Sequence, residues 1–290
     1  MMSMMLAGSA DHRLALHCLT VTRLNLSPWL IAAGLVLPFL LSAPASARKP
    51  ETGFLNRVVT VQGETYRYQV YVPADYDSHK KWPVIVFLHG AGERGDDGLL
   101  QTDVGLGHAI REHATNFPFV VVMPQCRKDK LWTQPDMQAQ ALAALDQSSR
   151  EFHADRNRVY LTGLSMGGYG TWDLAVKYPK RFAAYVVICG GLRGPDRFPE
   201  LHVSLVDDAK IADPYAETAR RVGKTPVWIF HGADDPAVPV EESRKMADAL
   251  KAAGGSVDYT EYPGVGHQSW LKAYAEPELV PWLLKQKLNP

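Results

Sequence analysis

Cysteine is scarce. Cys18, Cys126 and Cys189 are the three in 290 residues, too few for a fold held by disulfides. The sequence has no H-E-x-x-H, no C-x-x-C pair and no other metal-ligand spacing, so the pattern calls for no metal, and no cofactor is expected. Neither sign of charge dominates, with Lys+Arg 31 against Asp+Glu 31, and the balance survives when Arg13, Arg23 and Asp11 near the start are set aside. A chain this neutral has no global field to gather nucleic acid or an anionic membrane surface. The apolar run at 29–41 is shorter than the ~18–20 residues of a membrane span, and Pro38 interrupts it, so no stable membrane anchor is expected. Internal repeats, low-complexity tracts and long linkers are missing too, which favours one domain.

What is present fits an exported globular protein. Arg13 and Arg23 precede the run at 29–41, and Ser42-Ala43-Pro44-Ala45-Ser46-Ala47 follows with an A-x-A cleavage pattern. Residues 1–47 therefore read as a secretory signal, and residues 48–290 as one secreted or periplasmic domain. Cys18 lies ahead of the apolar run rather than after it, where a lipidation site would belong. With 46% hydrophobic residues and 21% charged, the domain has enough apolar material for a sizeable core. A mixed strand-like stretch at 66–72 ends at Pro73. Continuous apolar runs follow at 84–88, 119–123, 159–161, 185–188 and 227–230, with a last strand at 256–261. Short β-branched runs without alternation suit strands buried on both faces, hence a parallel sheet. Helices are expected between them at 99–113, 137–152, 166–177 and 241–253, with a closing helix at 277–288. Alternation of the two makes βαβ units.

Gly163-Leu164-Ser165-Met166-Gly167-Gly168 joins the strand at 159–161 to the helix at 166–177, which is the setting of a nucleophile elbow. So tight a turn forces the serine into strained backbone angles and leaves no room for side chains two residues before and after it. It also sets the hydroxyl at a helix N-terminus, which favours developing negative charge. The bland alternative is a glycine-rich connection in which Ser165 only caps the helix.

Gly90-Ala91-Gly92-Glu93-Arg94-Gly95 matches G-x-G-x-x-G after the strand at 84–88, but its glycines sit in a polar loop rather than opening an apolar helix, against a dinucleotide site. An oxyanion loop suits it better. In an α/β-hydrolase one N–H comes from the loop after the third strand and one from the residue after the nucleophile. That assigns Ala91 and Met166, with Gly92 the fallback for Ala91. The same logic places an acid and then a histidine in loops after later strands. His231-Gly232-Ala233-Asp234-Asp235-Pro236-Ala237-Val238-Pro239 follows the strand at 227–230, and Tyr262-Pro263-Gly264-Val265-Gly266-His267 follows the last strand. His267 would move the Ser165 proton, and an aspartate would orient it. Chemistry alone leaves Asp234 and Asp235 both open. His89 and His231 each precede glycine at a strand end, where a histidine usually bonds locally.

The four segments together, 88–95, 163–168, 231–239 and 264–267, resemble the α/β-hydrolase superfamily. More narrowly, residues 66–282 are similar to a secreted carboxylesterase group near feruloyl esterases and polyhydroxybutyrate-depolymerase-like enzymes. Met123-Pro124-Gln125-Cys126, Ile188-Cys189-Gly190-Gly191 and Trp132 also look like that group. The resemblance implies a mostly parallel sheet of about eight strands, and it selects Asp235, three residues before the valine of Val238-Pro239, as the acid. In that strand order Cys126 and Cys189 lie about three spacings apart, on the order of 14 Å, too far for a disulfide, so both should be free and buried. Trp132 and Trp270 are candidates for flanking a substrate cleft, a structural aromatic being the more ordinary role of each. The stretch between Gly191 and Asp213 is longer than expected and either borders the cleft or loops over the surface. The expected function is a serine esterase acting through an acyl-enzyme on a small-molecule or glycan-linked ester. A prolyl-oligopeptidase-like peptidase and a non-catalytic binding protein on the same scaffold are the alternatives.

Overall fold

A computed structural model gives the structure of residues 50–113 and 117–288; the expected leader lies outside them. Eight strands form one sheet in the order β1-β2-β4-β3-β5-β6-β7-β8. β1 (Gly53–Val61) and β2 (Glu64–Val72) pair as an antiparallel hairpin, and β2 pairs antiparallel with β4 (Val120–Pro124). From β4 onward every pairing is parallel, through β3 (Trp82–Leu88), β5 (Ala154–Leu164), β6 (Ala184–Ile188), β7 (Val227–Gly232) and β8 (Val257–Tyr262). The mostly parallel sheet inferred from the short apolar runs is the sheet observed.

The strand sequences dictate the layers. Side chains alternate across a strand. In β3, Val84, Val86 and Leu88 enter one core and Ile85 and Phe87 the other, and the whole strand is buried. The first core is covered by α2 (Pro135–Glu151), α3 (Met166–Lys177), α4 (Pro214–Val222) and α5 (Glu241–Ala252). The second is covered by α1 (Leu106–His113), α6 (Trp270–Ala273) and α7 (Leu279–Lys285). A parallel sheet with helices on both faces needs apolar residues on both sides of its strands, which explains why these runs do not alternate. Among the described residues, no helix is long and apolar enough to cross a membrane.

Four elements differ from the sequence reading. The helix expected at 99–113 is broken: Leu100–Thr102 makes one 3-10 turn, and α1 begins only at Leu106. Gly105 between them sits at φ +65, packed on Leu164 and Phe87, a backbone angle that ends a helix. β1 was not expected; it is an edge strand with only Val59 buried, so it carries no apolar run. α4 was missed as well, although Asp213 caps it by accepting from the N–H groups of Tyr215 and Ala216, and Pro214 opens it. The closing helix is shorter than expected, at Leu279–Lys285. Cys126 and Cys189 are free and buried, at the ends of β4 and β6, which are three places apart in the sheet.

Candidate active site

The site is built where the parallel strands end. β5 stops at Leu164 and α3 starts at Met166, so Ser165 alone makes the turn, at φ 52 and ψ −120. That left-handed strain is held from both sides. The Ser165 N–H donates to Ile188 O at 2.9 Å, and the Ser165 carbonyl accepts from the Gly168 N–H at 2.8 Å. The close approach needs glycine: a Cβ at Gly163 would meet the Gly167 carbonyl, and one at Gly167 would meet the Leu88 carbonyl.

The last two strands bring up the other groups. Their loops are stitched together by Ala233 N–H to Tyr262 O and Asp234 N–H to Val265 O, each at 3.0 Å. His267 Nε2 lies 2.9 Å from Ser165 Oγ, and its Nδ1 lies 2.7 Å from Asp235 Oδ2. The carboxylate cannot donate, so Nδ1 carries the hydrogen and Nε2 is left to accept from the serine hydroxyl. Asp234 is exposed, whereas the Asp235 side chain is fully buried. Burial works against the Asp235 charge. Hydrogen bonds from His231, His267 and the Val238 N–H outweigh it and hold the carboxyl far below the usual carboxylate range. The sequence-derived trio therefore converges on one line of hydrogen bonds, and of the two adjacent aspartates Asp235 is the one on that line.

Ala91 and Met166 are the first residues of a 3-10 turn (Ala91–Glu93) and of α3, positions whose N–H groups have no acceptor within their own helix. A Cβ added at Gly90 would lie 3.9 Å from Ser165 Cβ, which places this loop against the serine. Arg94 Nε donates to Ala91 O at 3.0 Å, Gln125 Nε2 to Glu93 O at 3.1 Å and the Gly95 N–H to Cys126 O at 2.9 Å. His89, fully buried, anchors the start of the loop. Its Nδ1–H donates to Gly90 O at 2.6 Å, and its Nε2 accepts the Cys126 N–H at 2.9 Å. Burial holds its pKa down at about 4, so both bonds persist at neutral pH.

Of the two tryptophans considered for flanking a cleft, one lies inside the protein. Trp132 does not flank a cleft: it is 0% exposed, its Nε1–H donates to His89 O at 2.9 Å, and its ring meets the His89 ring edge-on. It braces the loop instead, because Gly170 leaves room for it. Trp270 is half-buried and stands edge-on to the His267 ring, with centroids 5.4 Å apart. The stretch at 192–212 is held by two carboxylates from helices. Glu242 Oε2 accepts the N–H groups of Leu192 at 2.8 Å and Arg193 at 3.0 Å, and Asp173 Oδ1 accepts the Ser204 N–H at 2.7 Å. Phe198, Glu200 and His202 of this stretch wall a cavity of about 440 Å³ opposite Arg94, Leu131 and Thr133.

The residue that sequence reasoning passed over is His231. Its buried ring reaches the same Asp235 oxygen as His267, with Nε2 3.1 Å from Oδ2. A histidine before a glycine at a strand end is too common a pattern to have signalled this. Among the described residues, Cys189, Asp235 and His267 are the one group of such side chains close enough to share a metal ion. Asp235 and His267 are already bonded to each other, and burial, with Asp235 nearby, pushes the Cys189 thiol far up, so this donor set is poorly suited to a cation.

Comparison with known proteins agrees with this architecture. The chain is 31% identical over 133 residues to acyl-protein thioesterase 1 of Gibberella zeae, covering 46% of this chain and 49% of that protein. The chain spans about half the length of the curated relatives it matches first. A crystal structure of a thermostable esterase superposes with a TM-score of 0.66 at 33% identity, over 81% of this chain and 63% of that one. A ferulic acid esterase shares the fold alone, with a TM-score of 0.60 at 17% identity over 79% and 97%. The fold is that of the α/β-hydrolases. Residues 60–282 match the Esterase family along nearly the whole described domain, and the chain belongs to that family.

Proposed function

We propose that this chain is a serine hydrolase that cleaves carboxylic esters through an acyl-enzyme. The observation that carries the reading is the unbroken line from Ser165 Oγ to His267 Nε2 and from His267 Nδ1 to Asp235 Oδ2, at 2.9 and 2.7 Å. Ser165 Oγ attacks the ester carbonyl carbon while His267 Nε2 takes its proton, and the oxyanion that forms is received by the N–H groups of Ala91 and Met166. Collapse breaks the bond to the alcohol oxygen, which leaves with the proton from His267. A water molecule then gives a proton to His267 and attacks the acyl carbon; collapse breaks the bond to Ser165 Oγ, which takes that proton back from His267 as the acid leaves. Asp235 stays ionised and stabilises the imidazolium in both halves.

The substrate class proposed is a small-molecule or glycan-linked ester, supported by the likeness to esterases, a ferulic acid esterase among them. Export is part of the proposal; the apolar run at 29–41 and the A-x-A pattern ending at Ala47 support it. The test is turnover of p-nitrophenyl acetate by the full chain and by Ser165→Ala. Loss of at least about 10³-fold in kcat in the variant is expected. Equal turnover by the two would overturn the reading.

A further inference from the structure

We propose that His231 is a positioning residue for Asp235, holding the oxygen that faces His267 and sharing its charge between two imidazoles. The inference rests on the triad reading above. Asp235 sits in a loop, and Oδ1 is occupied by that loop's own N–H groups, from Ala237 at 2.8 Å and Val238 at 3.0 Å. Oδ2 has no backbone donor of this kind. It accepts from His267 Nδ1 at 2.7 Å and from His231 Nε2 at 3.1 Å.

The His231 donor is fixed by its other partners. Nε2 lies 3.1 Å from the Val238 carbonyl as well, and since both neighbours can only accept, Nε2 carries the hydrogen. Nδ1 lies 2.7 Å from Ser243 Oγ in the first turn of α5, so the ring is gripped at both nitrogens. His231 belongs to β7, hydrogen-bonded between β6 and β8, and is 0% exposed. The sheet thus carries a rigid donor to a carboxylate that otherwise hangs from a loop.

This arrangement has a chemical consequence that simple packing lacks. A second donor on Oδ2 draws charge away from the bond to His267, so Asp235 orients His267 while pulling it less strongly toward the cationic form. His267 must be uncharged to accept the Ser165 proton, so the pH at which activity appears on the acid side depends on this sharing. The other titratable groups near this oxygen and ring are the Cys189 thiol and Tyr169 toward Asp235, and Glu261 toward His231.

The test is the pH profile of p-nitrophenyl acetate hydrolysis for wild type, His231→Phe, His231→Gln, Ser243→Ala and Ser165→Ala, with circular dichroism to check folding. His231→Phe should lose about 10- to 100-fold in kcat with KM little changed, the scale of one hydrogen bond to a charged group. Its acid limb should move to higher pH by about half a unit or more. His231→Gln, which keeps an N–H donor, should recover most of the rate and the limb. Ser243→Ala should shift the limb the same way by less, and it carries the test if His231→Phe does not fold. A folded His231→Phe with the wild-type limb, or a Ser243→Ala profile unmoved beside an unfolded His231→Phe, would overturn the inference. So would a Gln variant as impaired as Phe. Retained activity in Ser165→Ala would instead overturn the triad reading, and the inference with it.

Discussion

Asp234 and Asp235 are neighbours with the same chemistry, and the turn between them decides their roles. The backbone N–H of Asp234 is tied to Val265, its carboxylate faces solvent, and Asp235 turns inward to His267. Asp235→Asn should therefore lower kcat by about 10³- to 10⁴-fold, through loss of the correct imidazole tautomer. Asp234→Asn should stay within about twofold, as exposed substitutions do. Steady-state kinetics on p-nitrophenyl acetate compares them, and the opposite ranking would reassign the acid. Residue chemistry alone left this pair open, and only resemblance to known hydrolases separated them, because which way a side chain turns is set by contacts with a loop 30 residues further on. His231 was hidden for the same reason: its partner Ser243 comes from the following helix and its acceptor from the following loop.

At the scale of elements, the strand–serine–helix turn was the most legible feature, because its glycines are demanded by backbone contacts rather than by side-chain choice. Gly167 lies against the Leu88 carbonyl of the neighbouring strand, which cannot move without breaking the β3 ladder. Gly167→Ala should destabilise the fold by about 3 kcal/mol or more, whereas Gly92→Ala, with nothing within 4 Å of its added Cβ, should change it by no more than about 0.5 kcal/mol. Urea denaturation followed by circular dichroism measures both; equal midpoints would contradict the packing described. Buried parallel strands were legible because two apolar faces leave a continuous run. β1 was not, since an edge strand buries one residue of nine. The break at Gly105 was not legible either: a glycine within a periodic stretch is tolerated in many helices, and here the ring of Phe87 and the side chain of Leu164 define the bend.

The whole molecule inherits a pH dependence from the way its sheet buries histidine. His89 is held at about 4 by burial, against 6.5 for an unperturbed side chain, so the unfolded chain takes up a proton across this window and the native one does not. The associated stability is present above pH 6.5 and is lost as pH falls toward 4, on the order of 3 kcal/mol at full extent. Burial lowers the pKa of the His202 side chain, but bonds to Pro199 O and Asp207 outweigh this and raise it, giving a smaller contribution of opposite sign at a partly exposed site. Tm should drop between pH 7 and 5. His89→Asn, less stable at pH 7, should show a flatter slope, and a wild-type Tm independent of pH across this range would contradict the buried neutral ring. The sheet order and its two cores were legible as a class of fold from strand-helix alternation; the wall formed by residues 192–212 was not, because Asp173 and Glu242, which hold it, lie on separate helices. All of these features converge on one hydroxyl. The most direct test is to label the folded protein with a fluorophosphonate and locate the adduct by peptide mass spectrometry. One adduct per chain, on Ser165 and missing from Ser165→Ala, is the expected result; an unlabelled folded protein, or an adduct on another residue, would contradict the account.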